Sequence, residues 1–241
     1  MNNTPILKVI TEYCSVYVDD IRLQELTETD PALYARKMWQ YLRASIPLFT
    51  LPEGIQNYLC GTEESPKLTE PLFAETYYTA ENDLASGDVI SLGNTYLGYD
   101  LCSCRMRTKD AHGNVVYVPV SVSYDAESGN VTLAEGVHKH SDLDFDLYKD
   151  GWFSEILSPQ IMMILGMCFN LVWQTRFMND WLSNVDKVED KSFSQQNRAN
   201  KIRADQERFL ILRQELSAQM RKLEQTFYFR EAFPLGGVKI H

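Results

Sequence analysis

The stretch "DKSFSQQNRANKIRADQERFLILRQEL", residues 190–216, holds no Gly and no Pro. Polar and basic residues crowd its first half, and Phe209, Leu210, Ile211 and Leu212 stand together in its second. It predicts a helix from about 192 to 229, which at 1.5 Å per residue spans roughly 50–60 Å. Ile202, Phe209, Leu212, Leu216, Leu223 and Phe227 form one stripe along it, spaced seven, three, four, seven and four. Such a rod is longer than a compact domain needs, so it requires an equally long neighbour.

That neighbour lies upstream. Ile161–Phe169 is the most apolar run, extended by Leu171, Val172 and Trp173 and interrupted at Asn170. A membrane span needs ~20 apolar residues, so this is a buried helix instead. Ser158 and Pro159 mark its start, as cap and first helical residue, and it runs to about 184. It is apolar nearly all round at its beginning, and burying every side of it points to oligomerisation. The two helices together predict an αα-hairpin.

The N-terminal part is helical too. Ile6, Val9, Ile10, Tyr13, Val16 and Tyr17 recur at helical spacing, and Ile21, Leu23 and Leu26 suggest a short second helix. Asp30 and Pro31 start a third, which Pro47 ends, because a residue before proline avoids the helical region. Residues 47–70 read as irregular. The period then changes to two. Phe73 and Tyr77, Val89–Leu92, Tyr96–Thr108 with a bend at Gly98, Val115–Tyr124, Val131–Ala134 and Leu143–Leu147 predict five to seven short strands. Pro119 argues for an edge strand or bulge. The strands suggest a small antiparallel sandwich or barrel. The fold class is therefore α+β. Helices at 1–68 and the hairpin at 151–232 share a bundle, an antiparallel β module is inserted at 69–150, and 233–241 forms an extended arm.

Charge limits the partners. The net charge is −10, but residues 191–241 carry ten Lys/Arg against five Asp/Glu, and residues 1–190 carry thirteen against twenty-eight. An acidic body argues against wrapping nucleic acid, and ends of opposite sign suit subunit-to-subunit contacts. The N-terminus shows no basic and apolar secretion signal. Cys14, Cys60, Cys102, Cys104 and Cys168 lack metal-finger spacing and read as free thiols in a reducing compartment.

Reactive constellations are weak throughout. Asp142, Asp144 and Asp146 share a strand face without a calcium-loop pattern, and read as a solvated outer face. His138 and His140 share a strand face as zinc ligands do, but no third ligand stands near, so they read as surface histidines. Cys102 and Cys104 read as two small core residues on one face. Gly236–Gly237 lacks the setting of a phosphate loop. No metal or catalytic residues are assigned, no cofactor is expected, and the chain reads as a non-enzyme. A less favoured reading, a metal-dependent hydrolase, would use Asp142, Asp144 and His138 or His140.

Several segments resemble small virion proteins of tailed bacteriophages. The order is an acidic strand end, then Leu157-Ser158-Pro159, a buried helix with Trp173, and a break carrying Phe193, Asn197, Ala199 and Asn200 before a long helix. "DPALYARKMWQYLRASIPLF" resembles the first helices of the same group. The likeness covers about half the chain, which departs from short members through its eighty-residue β insertion. The resemblance implies a structural head–tail adaptor, or connector, made in the bacterial cytoplasm and incorporated at the virion neck. It would dock on the portal as a cyclic homo-oligomer of roughly twelve copies. It would also meet tail and neck proteins, let DNA slide through its channel without specific binding, and bind no membrane. Candidate interface residues are Phe233, Leu235, Val238 and Ile240 in the arm, with Arg198, Lys201, Arg203 and Arg208 on the long helix. Ile202, Phe209, Leu212, Leu216 and Leu223 serve either an interface or packing within the hairpin. The alternative is a tail or baseplate component whose β module attaches to carbohydrate through Tyr77, Tyr78, Tyr96, Tyr99 and Tyr117.

Overall fold

A computed structural model of the chain describes residues 3–18, 21–109, 112–185 and 195–232. The fold is mixed α+β, with six α-helices and antiparallel sheets among the described residues. The chain begins with β1 (Thr4–Pro5), α1 (Ile6–Val9), a π-helical turn at Ile10–Cys14, α2 (Ile21–Thr29), α3 (Pro31–Ser45) and α4 (Ile55–Leu59). Strands β2 (Leu68–Thr69), β3 (Leu72–Thr79), β4 (Val89–Ser91), β5 (Asp100–Lys109) and β6 (Val115–Pro119) follow. Then come β7 (Val122–Asp125), β8 (Asn130–Leu133), β9 (Asp142–Lys149), β10 (Trp152–Phe153), α5 (Pro159–Val185) and α6 (Gln195–Ala232).

The helix starts have local causes. The Asp30 carboxylate accepts the Leu33 N–H at 3.0 Å, and the Ser158 hydroxyl accepts the Ile161 N–H at 3.3 Å. Each satisfies one of the donors that a first helical turn leaves unpaired, with proline in the next position. The α3 helix stops at Ser45, and a 3-10 turn at Ile46–Leu48 carries Pro47. Residues 47–70 are more ordered than their prolines and glycines suggest, since they contain α4 and β2.

Chain contacts divide the molecule into two units. One comprises Met1–Asp19, Met38–Thr69 and Trp152–His241, and the other Asp20–Lys37 and Glu70–Gly151. Residues 20–37 thus belong with the strand-rich unit.

In the first unit a small sheet has the order β1-β10-β2. The Thr4 hydroxyl donates to the Glu155 carbonyl at 3.0 Å and accepts the Leu157 N–H at 2.8 Å, which ties the N-terminal strand to the approach of α5. The first half of α5 is largely buried: Ile164, Leu165, Cys168 and Phe169 are fully inaccessible, while Met163 and Met167 are half-buried. Burying each such side chain contributes about 1.5–3 kcal/mol. One copy of the chain achieves most of this burial by itself. Gly166 makes it possible, because a Cβ there would stand 2.5 Å from the Tyr13 carbonyl oxygen of the π-helical turn.

The second unit holds seven strands in two antiparallel sheets, ordered β3-β9-β5-β6 and β4-β8-β7. Cys104, Leu143 and Phe145 from the first sheet and Ile90, Val131 and Leu133 from the second form one buried cluster. The segment 115–124 is two strands in different sheets. Pro119 ends β6, and the chain crosses over at Val120 and Ser121. Along β5 the register to β9 slips between Leu101 and Ser103, which takes Cys102 out of simple alternation with Cys104. Cys104 is a core residue and Cys102 is half-buried, so the two do not form the matched pair expected from their spacing.

Candidate functional site

In the first unit, α5, α6 and the turn at Ile46–Leu48 enclose an open groove of about 850 Å³. Leu48, Val172, Phe209 and Met220 supply apolar walls, with Arg176 and Arg213 at the polar margin. The Arg176 guanidinium lies 5.2 Å from the centre of the Tyr41 ring, which itself packs edge-on against Trp173 at 5.0 Å and Phe169 at 6.0 Å. A cation held against an aromatic face is positioned without losing its charge. On α6, Leu216, Met220 and Leu223 are buried, four and three residues apart, as a packing stripe requires. Phe209 and Leu212 are half-buried, while Leu210 and Ile211 remain 55% and 54% exposed. The stripe read from sequence therefore packs within the chain at Leu216 and Leu223. Met220 belongs to it and was not anticipated.

The predicted interface residues fare unequally. Arg203 and Arg208 are exposed on α6. The side chains of Arg198, Lys201 and Ile202 lie outside the described residues, as do Phe193 and the arm residues Phe233, Leu235, Val238 and Ile240.

In the second unit the outer face of the four-stranded sheet is charged and organised. The β9 register places Asp146 opposite Ser103 and Glu75, Asp144 opposite Arg105 and Tyr77, and Asp142 opposite Arg107 and Thr79. Asp146 accepts hydrogen bonds from Arg105 and from the Ser103 hydroxyl, the latter at 2.6 Å. The other Arg105 nitrogen reaches Asp30 at 3.3 Å. Arg107 pairs with Asp144 at 3.6 Å, and Thr79 donates to Asp142 at 2.7 Å. Arg105 and Arg107 also stack over Tyr117, at 5.5 and 6.0 Å from its ring centre. The Asp triplet is thus not a solvated face. Asp146 is 5% exposed and Asp142 and Asp144 are half-buried. Ser103, Arg105, Arg107 and Lys109 alternate on β5 as the aspartates do on β9, and this matched alternation of opposite charges was the signal that could have revealed the network.

The acids are engaged in the sheet's ion pairs and hydrogen bonds. His138 and His140 sit in the connection before β9, not on a strand face. The His138 side chain is 98% exposed and faces Asp83 at 3.7 Å, while His140 takes a left-handed φ of 64°. Among the described residues no group of three His, Cys, Asp or Glu side chains could hold a metal ion. All five cysteines are free. Burial, with the Asp144 and Asp146 charges, pushes the Cys104 thiol up to about 12; burial alone pushes Cys168 up to about 12. These thiols are poor nucleophiles at neutral pH. Of the tyrosines weighed for carbohydrate stacking, Tyr77 and Tyr117 are exposed, Tyr78 packs against the core, and Tyr96 and Tyr99 contact each other edge-on at 6.1 Å. Among the described residues no helix is long and apolar enough to cross a membrane.

Comparison of the chain with protein-family models, with curated proteins and with solved structures returns no match.

Proposed function

We propose that the chain is a structural virion protein of a tailed bacteriophage, a head–tail adaptor whose copies form a ring on the portal. In this reading α5 and α6 are the arms of an αα-hairpin that bundles with the N-terminal helices, and the β module is the insertion. The observation that carries it is the groove between α5 and α6, apolar along its walls with Arg176 and Arg213 at its margin. A groove of that composition suits an apolar segment bearing an acidic group from a neighbouring subunit or the portal. Exposed Leu210 and Ile211 on the same helix enlarge the apolar surface available to a partner. The surplus of acidic residues in 1–190 would keep DNA from sticking to such a ring.

The test is reconstitution with a tailed-phage portal protein from the same genome as this chain. The expected result is a co-sedimenting complex in which the chain forms a closed ring. A chain that ignores the portal and is missing from purified virions would refute the reading. The alternative, a carbohydrate-binding tail or baseplate component, draws on exposed Tyr77 and Tyr117. Glycan binding that vanishes in Tyr77→Ala, with the chain found at the tail tip, would favour it.

A further inference from the structure

Among the described residues the four-stranded sheet ends in two edges, β3 and β6, that pair with no further strand. All five residues of β6 are exposed, and Val115, Val116, Tyr117 and Val118 are 53%, 36%, 49% and 42% accessible. Natural edge strands are normally guarded by charges, bulges or covering elements, because bare backbone groups recruit other strands. Val115–Pro119 contains no charge, and its one guard, Pro119, stands at the end. The opposite edge, β3, exposes Leu72 at 51% and Tyr77 at 77%.

We propose that copies of this chain join head to tail through these edges, with β3 of one copy added beside β6 of the next as a fifth antiparallel strand. The inference rests on the ring-subunit reading and names the contact that would close the ring.

Backbone direction allows it. Each strand in the order β3-β9-β5-β6 runs antiparallel to its neighbour, so β3 and β6 run in opposite directions. A following copy in the same orientation therefore presents β3 antiparallel to β6. Hydrogen-bond parity allows it too. The Val120 N–H donates to the Cys104 carbonyl at 2.9 Å, and in an antiparallel pair alternate residues bond to the same neighbour. Val118 and Val116 thus face β5, while Val115, Tyr117 and Pro119 direct their backbone groups outward. Proline tolerates that outward position because the donor it lacks would find no partner within its own sheet. On β3 the Ala80 N–H donates to Ser141 at 2.9 Å, which leaves Phe73, Glu75, Tyr77 and Thr79 directed outward. Outward residues of both edges carry their side chains on the charged face, so a joined sheet keeps one charged and one apolar face.

Charge selects this arrangement over pairing of like edges. Glu75 of the added strand would lie opposite Tyr117 or Pro119, in the row of Arg107 or Arg105, whose guanidinium groups already reach over Tyr117. Glu75 pairs with Arg36 at 2.9 Å and is 66% exposed, which leaves it open to a second cation. Pairing β6 with β6 or β3 with β3 would leave Glu75 without the arginine row of a neighbouring copy, so like-edge joints lack this attraction. Every copy offers one edge of each kind, which makes the contact heterologous and able to close a ring.

Cysteine cross-linking tests this directly, with the wild-type chain as background for its native thiols. Tyr117→Cys is mixed under mild oxidation with Tyr77→Cys and, separately, with Glu75→Cys. Directly opposed hydrogen-bonded residues stand ~5.5 Å apart at Cα, within disulfide range. A linked dimer is expected in one of the two mixtures, and none for Tyr117→Cys alone. Linkage of Tyr117→Cys alone would show like-edge pairing and overturn the proposal, as would no linkage in either mixture. Tyr117→Pro, which removes an outward donor, should weaken association at least about tenfold in sedimentation while the monomer still melts cooperatively. Unchanged association of that folded variant also overturns the proposal. Should the variant misfold, the cross-links decide alone. Linked copies that do not engage the portal would leave this contact standing and refute the adaptor reading; portal engagement without linkage would do the reverse.

Discussion

Strands β9 and β6 belong to one sheet and invert the ordinary expectation of what is buried. Half of β9's first six residues are aspartate, yet Leu143, Phe145, Leu147 and Asp146 are all buried. The strand β6 reads Val-Val-Tyr-Val-Pro and is exposed throughout. Place in the sheet decides this, not polarity. The central strand β9 has β3 and β5 on either side, so one face reaches the core and the other gathers Arg105, Ser103 and Arg107 around its acids. The edge strand β6 has one neighbour, and the smaller sheet does not cover its Val116 and Val118. A buried charge is tolerable when partners surround it. An exposed apolar edge is tolerable when a strand from elsewhere completes it.

The largest expected effect falls at the centre. Phe145→Ala should destabilise the fold by about 3–5 kcal/mol in denaturant unfolding, because Phe145 is fully buried. Next comes Asp146→Ala, expected to cost about 3 kcal/mol by leaving the half-buried Arg105 short of its closest anion. The paired change Asp146→Leu with Arg105→Met should recover much of that loss. If it is as costly as the single change, the network matters beyond its charges.

A smaller effect concerns alkaline pH. Thiols of the unfolded chain ionise near their ordinary value of 9.0, while burial holds Cys104 protonated up to about 12 and Cys102 up to about 11. The stabilisation is complete below pH 9 and disappears as pH rises through the folded-state values. Stability should therefore fall between about pH 9 and 12, and Cys104→Ala should flatten that slope in pH-dependent unfolding. The smallest effect belongs to the edge. Val118→Ala should change monomer stability by no more than about 0.5 kcal/mol. A cost near that of Phe145→Ala would erase the distinction between the two strands.

Local signals were legible from sequence where one residue acts on its immediate neighbours. Asp30-Pro31 and Ser158-Pro159 start helices because cap and proline act within a single turn. Pro119 marks an edge strand because a missing donor is tolerated there. What depended on distant pairing was not legible. Alternation runs unbroken from Val115 to Tyr124, yet the chain changes sheets at Val120–Ser121, and a period of two carries no mark of which sheet it joins. The aspartates of β9 looked solvated because the register that sets Arg105 and Arg107 beside them joins residues about forty positions apart. The sheet β1-β10-β2 escaped notice because two-residue strands have no period. The groove needed α5, α6 and the Pro47 turn together, although Phe209 and Leu216 on its wall were already marked by their spacing.

Amide hydrogen exchange across the four-stranded sheet, followed as protein concentration rises, tests the account most directly. The amides of Val116 and Val118, directed at β5, should be protected at every concentration. Those of Val115 and Tyr117, directed at the open edge, should exchange rapidly in dilute solution and slow as copies associate, together with Glu75 and Tyr77 on β3. Concentration-independent exchange at Val115 and Tyr117 would contradict the account, because the edge would then remain open however many copies are present.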